Sequence, residues 1–430
     1  MRNYRKPLFC LIVLGLMLMG TGCIGREPVN KGTSNPAKPT TSGQSSPDSI
    51  DSPVKVEEKE TTVNLAFVGD IMAHSPQITA AKREGGGSAF DFNPVFAPIQ
   101  EFLNSADYTI ANLETPLAGA KLAYTGYPRF NAPVELAEGL LNAGVDAVTT
   151  ANNHALDRGE PGIINTLNAL DQVGLSHVGT ARNPQEADKV VIKEINGISV
   201  GFLSYTYGTN GIPVPKDKPY LVNLIDEKKM EEQVTTARKL GAQAVVMSLH
   251  FGQEYQRVPS KEQQRLARLM IAKGVDVVVG SHPHVQQPME WVEVKNNEGN
   301  RRGLIIYSLG NFLSNQRDQY TDTGMVVKIS LVRKGTTSST VTIGQVSYVP
   351  TWVWRKGNPG AYSYRIVAAN SSAIPAASTG MVMPKQDLAR KQQAYQELTK
   401  LIPGAQSAES WLVVQAPTIK LEDLQTFNTD

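Results

Sequence analysis

The chain has 430 residues, 41% of them hydrophobic and 19% charged, a composition that excludes disordered, fibrous and collagen-like proteins. Its 42 Lys and Arg balance 40 Asp and Glu, so the formal net charge of +2 offers no basis for binding nucleic acid. At about 150 residues per domain, the length allows one large domain with appendages or two ordinary domains. Both cysteines, Cys10 and Cys23, precede the globular part, which therefore has no disulfide framework.

Residues 1–22 have the pattern of a signal peptide, with a basic start, an apolar run over residues 7–19 and small residues before Cys23. The apolar run is shorter than the roughly 20 residues that span a bilayer. Gly20 to Cys23 resembles the lipobox of bacterial lipoproteins, in which the cysteine is linked to diacylglycerol. Gly20 stands where lipoboxes usually carry Leu, so an ordinary secretory cleavage is the alternative. We expect an exported protein with a lipid anchor at Cys23 on the extracytoplasmic face of the cell membrane.

Residues 23–61 are predicted to form a flexible tether behind that anchor. Residues 26–51 are rich in Ser, Thr, Pro and Gly and lack apolar periodicity, so they bury too little apolar surface to offset the entropy of ordering.

From Val63 onward, short apolar runs alternate with segments of helical length, which is typical of βα units. Continuous apolar strands indicate a sheet covered on both faces, and right-handed crossovers place the carboxyl ends of its strands at one edge. We therefore expect an α/β fold with its ligand chemistry at that edge. The predicted strands are 63–68, 108–111, 147–150, 244–249 and 276–279, and the predicted helices are 133–143, 161–173, 226–240 and 259–272.

The second half of the chain is richer in β-structure. Asn196-Gly197 predicts a hairpin between residues 190–195 and 198–205. Residues 385–401 have the pattern of an amphipathic helix. These patterns divide the chain into a main domain at 62–355 and a C-terminal extension at 356–430. Further strands are predicted at 289–294, 303–307, 325–332 and 340–349.

Polar residues follow five of the predicted strands at the point where each strand ends. A lone histidine at such a position is usually structural. The prediction of a metal site therefore depends on several such groups lying at neighbouring strand ends. Imidazole and carboxylate ligands without a thiolate suit Mn, Fe or Zn, and two such ions would clamp a hydrolytic water. The residues concerned are Asp70, Glu114, Asn153, His154, His250, His282 and His284.

Seven segments between Val63 and Asn315 resemble the successive motifs of the CapA family, whose members act in bacterial poly-γ-glutamate capsule synthesis. That family is similar to calcineurin-like metallophosphatases, so the resemblance implies a four-layer αββα sandwich with a metal site at the strand ends. The segments are FVGDIM (67–72), ANLE (111–114), FNAPVE (130–135), ANNHALDRG (151–159), HFGQEY (250–255), GSHPHV (280–285) and YSLGNF (307–312).

The resemblance also implies a role for each strand-end residue. His154 matches the histidine that stabilises or protonates the leaving group, and Asp157 either orients His154 or caps the following helix. The implied metal ligands are Asp70 and His284 for the first ion, Asn153, His250 and His282 for the second, and Glu114 as the bridge.

One position departs from the metallophosphatase pattern, which places a histidine two residues after the first aspartate. Met72 stands there, and the bridging carboxylate is Glu114 rather than an aspartate. His74 either replaces the missing ligand through a shifted loop or is an exposed loop histidine.

Two more residues are candidates for binding substrate. Asn311, with Tyr307 nearby, lies where a sixth strand end would reach the cleft. Arg129 either meets an anionic substrate or is a solvated surface arginine.

The resemblance implies a role in making, anchoring or exporting a poly-γ-glutamate-type surface polymer, with polymer synthase and export subunits as partners. Two hypotheses follow. In the first, the protein is a metal-dependent enzyme that hydrolyses or transfers a phosphoester or amide bond. In the second, it is a non-catalytic scaffold or binding subunit of a membrane polymer synthase or exporter.

Overall fold

The computed structural model describes residues 60–296, 299–335, 340–370, 382–406 and 411–422. The predicted signal peptide, Cys23 and the tether as far as residue 59 lie outside these ranges. Glu60 and Thr61, which close the predicted tether, are the first residues of a strand.

The strands within the described residues are β1 (Glu60–Ile71), β2 (Tyr108–Leu113), β3 (Ala147–Thr149), β4 (Ser176–Val178), β5 (Val191–Ile195), β6 (Ile198–Thr206), β7 (Ala244–His250), β8 (Val277–Ser281), β9 (Gln286–Asn296), β10 (Gly299–Leu309), β11 (Asn311–Leu313), β12 (Thr323–Lys334), β13 (Val341–Lys356), β14 (Ser363–Ala368), β15 (Gly404–Gln406), β16 (Leu412–Val414) and β17 (Thr418–Lys420). The α-helices are α1 (Ser75–Glu84), α2 (Asn93–Phe96), α3 (Gln100–Leu103), α4 (Glu135–Asn142), α5 (Gly159–Val173), α6 (Pro184–Ala187), α7 (Glu227–Lys239), α8 (Lys261–Ala272) and α9 (Lys385–Leu401). Short 3₁₀ helices occur at Ala97–Ile99, Ala120–Leu122 and Pro219–Leu221.

The strands form two sheets. The first has the order β15-β16-β13-β12-β1-β2-β3-β4, with β11 beside β1 and β14 beside β13. The second has the order β17-β9-β10-β8-β7-β6-β5. The predicted strands all form, but the expectation of one edge for all of them is wrong: β1, β2 and β3 belong to the first sheet and β7 and β8 to the second.

Three apolar clusters separate the layers. Phe67 of β1 and Val246 of β7 belong to a cluster shared by the two sheets. The outer face of the first sheet packs against α1, α4 and α5, and that of the second against α7 and α8. The predicted α/β class and four-layer αββα sandwich are confirmed, because each sheet buries one face on the other sheet and one on helices.

The hairpin predicted at Asn196-Gly197 joins β5 to β6 antiparallel. Both turn residues have positive φ, 45° and 86°, as a tight hairpin turn of this kind requires. The amphipathic helix predicted at 385–401 is α9.

The residues after 355 contribute to both sheets. β14 pairs with β13, and β17 pairs with β9. Helix α9 is attached to β13 where Trp354 Nε1 donates to Asp387 Oδ2 at 2.8 Å. Among the described residues, no helix combines the length and hydropathy that a membrane-spanning helix needs.

Candidate metal centre

The strand-end residues of the two sheets meet at one site. Asp70 lies near the end of β1, Glu114 directly follows β2, and His250 ends β7. Two glycines next to these strand ends allow neighbouring backbone segments to pack closely. A Cβ at Gly69 would lie 1.9 Å from the carbonyl oxygen of Gly310, and one at Gly280 would lie 1.9 Å from that of Tyr307.

Two buried carboxylates form the middle of the site, and Asn112 links them. Its Nδ2 donates to Asp70 Oδ1 at 2.8 Å and lies 3.3 Å from Glu114 Oε2. Thr149 of β3 holds the amide by donating to Asn112 Oδ1 at 3.1 Å. Asp70 and Glu114 are both fully buried, so two acidic side chains are held together with little access to water.

Three buried histidines surround these carboxylates. His284 Nδ1 lies 3.0 Å from Asp70 Oδ2. Glu114 Oε1 lies 3.5 Å from His250 Nε2 and 3.7 Å from His284 Nε2. His282 and His284 have positive φ angles of 99° and 57°, a conformation that is uncommon outside glycine and concentrates at functional sites.

Two buried atoms of the cluster have no hydrogen-bond partner among the described residues, Glu114 Oε1 and His282 Nδ1. Ligand atoms within 4.8 Å of one another define two groups, one of Glu114, His282 and His284 and one of Asp70, Glu114 and His250. Oxygen and imidazole donors in this arrangement suit a divalent metal ion. Glu114 belongs to both groups, as a bridging carboxylate must, and the division of the histidines between two ions stays a prediction.

The pKa shifts of the residues in the cluster also favour a metal site. Burial, and then the charge of Asp70, raise the pKa of Glu114 well above its usual value. Burial, and then the neighbouring histidines, hold the pKa of His250 well below its usual value, and burial lowers the pKa of His282 to about 3. Neutral imidazole is the form that binds metal, and a cation would offset the cost of burying the carboxylates.

His154 and Asp157 form a buried pair beside the cluster. His154 Nδ1 lies 2.7 Å from Asp157 Oδ2, which also accepts the backbone N–H of Phe130 at 2.7 Å. Asp157 therefore orients His154. The helix-cap alternative does not occur, because the N-cap of α5 is Arg158 and no side chain caps that end.

Asn153 connects the His154 segment to the cluster. Its Oδ1 lies 3.0 Å from His250 Nε2, and its Nδ2 donates to Asn210 Oδ1 at 3.1 Å. The half-exposed ring of Tyr207 lies 4.7 Å from the ring of His282, measured between centroids. The predicted ligands are thus together, with an aromatic ring at their solvent side.

His74 is half-buried, so its interpretation as an exposed loop histidine is wrong. It precedes α1, its Nδ1 accepts the backbone N–H of Asn315 at 3.3 Å, and its ring packs edge-on against Phe130 at 5.1 Å. Neither metal-competent group includes it. Met72 is buried and its backbone pairs with Leu313.

Asn311 is the register partner of Asp70 and is fully buried. Its Nδ2 donates to Gln316 and to the carbonyl of Thr321, while its Oδ1 has no partner in the described part of the chain. Tyr307 does not reach the site, because its hydroxyl donates to Glu290 at 2.9 Å on the helical side of the second sheet. Arg129 is exposed on the loop that carries Phe130.

Four residues at the site received no role from the sequence: Asn112, Phe130, Tyr207 and Asn210. Tyr207 directly follows β6, so the strand-end rule applied to the hairpin strand would have found it. Asn112 lies two residues before Glu114 and so shares its strand face. No sequence signal marks Phe130 or Asn210, whose positions depend on loop geometry.

Residues 64–316 match the family described as "Bacterial capsule synthesis protein PGA_cap". The match covers more than half of the chain and includes every proposed ligand. The chain belongs to this family.

Curated relatives of this PGA_cap chain include two CapA proteins. The Capsule biosynthesis protein CapA of Bacillus anthracis is 29% identical over 293 residues, covering 66% of this chain and 67% of that protein. The PGA biosynthesis protein CapA of Bacillus subtilis is 29% identical over 285 residues, covering 64% and 70%.

Solved structures similar to the chain include the 5'-nucleotidase precursor of Thermus thermophilus, with a TM-score of 0.40 and 13% identity over 79% of this chain and 59% of that one. A putative 5'-nucleotidase from Staphylococcus aureus gives a TM-score of 0.42 and 12% identity over 78% and 58%. The PGA_cap chain spans less than two thirds of the length of either structure.

Proposed function

We propose that this PGA_cap protein is a metal-dependent hydrolase or transferase that acts on a phosphoester or amide bond during the synthesis or export of a poly-γ-glutamate-type surface polymer. The observation that carries the proposal is the buried, under-bonded cluster of two carboxylates and three histidines. Fully buried carboxylates are stable only when they are neutral, paired or metal-bound. In the described part of the chain, no lysine or arginine pairs with Glu114, and its basic neighbours are His250 and His284.

Asp70, Glu114, Asn153, His250, His282 and His284 would hold the metal, in our proposal two ions of Mn, Fe or Zn. Divalent ions bound there would polarise the scissile group and activate a water molecule. Asn112 would help to orient the two carboxylates, since its Nδ2 contacts both.

His154 is the proposed proton donor to the leaving group. With Nδ1 bonded to Asp157, the proton that His154 transfers is the one on Nε2, and Asp157 stabilises the imidazolium before transfer. The rings of Phe130 and His154 pack in a T-shaped arrangement with their centroids 4.7 Å apart, which contributes to the burial of His154. Asn210 lies 3.4 Å from the ring nitrogens and approaches from the solvent side.

A second candidate function is a non-catalytic binding subunit of a polymer synthase or exporter, with the strand-end cleft as its binding site. The observation that favours it is Met72, a buried thioether at the position where the metallophosphatase pattern has a metal-binding histidine.

The two functions are separated by His154→Ala, which removes the proposed proton donor and leaves every proposed ligand in place. An enzyme should lose turnover by about 10² to 10⁴ while its metal content and folding stay unchanged. The measurements are hydrolysis of model phosphodiesters and γ-glutamyl peptides by the purified protein, and surface polymer yield in cells. Full polymer yield with His154→Ala, together with no hydrolysis by the wild type, would favour the binding subunit.

The proposal places the protein outside the cytoplasm, held to the cell membrane by a lipid on Cys23 and working with polymer synthase and export subunits. Its support is the signal-like leader and the small residues before Cys23. Cys23→Ala should release the protein from the membrane fraction or leave it with its leader attached. An unmodified N-terminus elsewhere, found by mass spectrometry of native protein, would contradict the anchor.

A further inference from the structure

A cleft of about 450 Å³ opens at one side of the sandwich and contains none of the metal-centre residues. It lies between β4, the edge strand of the first sheet, and β5, the edge strand of the second. Phe202 and Ser204 of β6 also line it. Its volume falls within the roughly 300 to 1,000 Å³ of small-molecule sites.

Both acidic side chains in the lining are already paired with the same cation. Arg182 contacts Asp171 Oδ2 at 2.6 Å and Glu186 Oε1 at 2.6 Å. Asp171 Oδ1 also lies 3.0 Å from His177 Nε2. Arg182 offsets one of these two negative charges, and with Lys189 and Lys193 the lining carries three cationic and two acidic side chains.

Three donor side chains of the lining, Lys189, Lys193 and Ser204, have no partner among the described residues. Within the described part of the chain, the ammonium groups of Lys189 and Lys193 have no hydrogen bond or ion pair. Lys193 is the register partner of Val200, which belongs to the core between the sheets, so its side chain projects from the inner face of the edge strand. Ser204 is 1% exposed and its hydroxyl has no hydrogen bond among the same residues.

We infer that this cleft binds a small organic or inorganic anion bearing a carboxylate or phosphate group. The charged group lies between Lys189 and Lys193, Ser204 donates a hydrogen bond, and the ring of Phe202 packs against the rest of the ligand. Charge-assisted bonds to an anion would satisfy the three unpaired donors at once. This site is separate from the proposed metal centre and does not depend on its function.

Lys193 has one competing explanation, because an inward-pointing charge on an edge strand also prevents pairing with another chain. That role requires no ligand. The two explanations differ in what anion titrations detect.

The experiment titrates the purified chain with succinate and with inorganic phosphate by calorimetry, since these probes distinguish the two anion chemistries. We expect at least one to bind, and Lys189→Gln and Lys193→Gln each to weaken it by about tenfold, as the loss of a charge-assisted bond requires. Lys239→Gln removes an exposed lysine of α7 outside the lining and should bind as the wild type does. Thermal unfolding of each variant reports whether its fold is retained.

Binding that persists in a His250→Ala, His282→Ala double variant would place the anion away from the metal centre and support the inference. Absence of binding by both probes would overturn it. Unchanged affinity in folded Lys193→Gln would overturn it too, and would leave edge protection as the role of that lysine. Binding lost only in the histidine double variant would assign the anion to the metal centre instead.

Discussion

Glu290 and Glu114 are both buried glutamates, and their partners differ. Glu290 of β9 accepts two bonds from Arg268 of α8, at 2.6 and 2.9 Å, and a third from the hydroxyl of Tyr307 at 2.9 Å. Among the described residues, the Glu114 side chain has one weak hydrogen bond, from the Asn112 amide at 3.3 Å, and its Oε1 faces His250 and His284 without a hydrogen bond.

The difference teaches how to tell a structural charge from a functional one. A buried carboxylate with a cation and satisfied oxygens holds two layers together, here β9, β10 and α8. A buried carboxylate without a cation raises the free energy of the folded state. Binding of a cationic ligand to the folded state offsets this cost. By this criterion the Glu290 cluster is structural, and the Glu114 cluster is the one that we propose as a ligand site.

The largest expected effect comes from Glu114→Gln, which keeps the shape of the side chain and removes its charge. We expect metal affinity to fall by more than about 100-fold, because the proposed bridging ligand is gone. Any metal-dependent turnover should fall with it. The metal-free variant should be at least as stable as the metal-free wild type, since burial of the ionised Glu114 is costly. Elemental analysis and chemical denaturation measure the two quantities.

The matched substitution Glu290→Gln should do the reverse. It leaves Arg268 with an uncompensated charge, so we expect a loss of about 3 to 5 kcal/mol in the free energy of unfolding. Metal content should be unchanged. If Glu290→Gln lost metal while Glu114→Gln kept it, the distinction between the two glutamates would fail.

How far the sequence predicts this arrangement depends on the range of the contacts. Asp70 and His250 end apolar strands, and the helix at residues 385–401 repeats its apolar face over several turns, so local patterns suffice to place them. The pairing of β17 with β9 joins segments more than 100 residues apart, and three-residue strands carry no usable periodicity.

The site shows the same limit. The rule that polar residues directly after apolar strands form the site does predict the proposed ligands. It succeeds although the strands belong to two sheets, because both sheets present their carboxyl ends at the same place. It does not predict that Phe130 would cover His74 and His154, which depends on how a loop folds back. It also misplaced Tyr307, whose hydroxyl is used by Glu290.

Asp157→Asn tests the pair beside the cluster with a smaller effect. The amide cannot stabilise an imidazolium at His154, so turnover should fall by about 10- to 100-fold while metal content stays at the wild-type level. An unchanged rate would remove Asp157 from the mechanism.

The last effect, a pH dependence of the metal-free protein, is small at neutral pH and grows only as the pH falls below about 6.5. Burial lowers the pKa of His282 from 6.5 to about 3, so below pH 6.5 the unfolded chain takes up a proton that the folded chain does not. Stability should therefore fall as the pH drops from about 6.5 towards 3, by up to about 1.4 kcal/mol per pH unit for this histidine. His282→Asn should show a shallower slope in denaturation at several pH values. Equal slopes in both proteins would contradict this environment for His282.

The central claim, that the strand ends build a metal centre, is tested most directly by elemental analysis of purified protein. We predict that the wild type and His177→Ala carry divalent transition metal in equal amounts, because His177 lies at β4 and outside the cluster. The His250→Ala, His282→Ala double variant should carry almost none while remaining folded. Equal metal in the double variant and the wild type would contradict the claim.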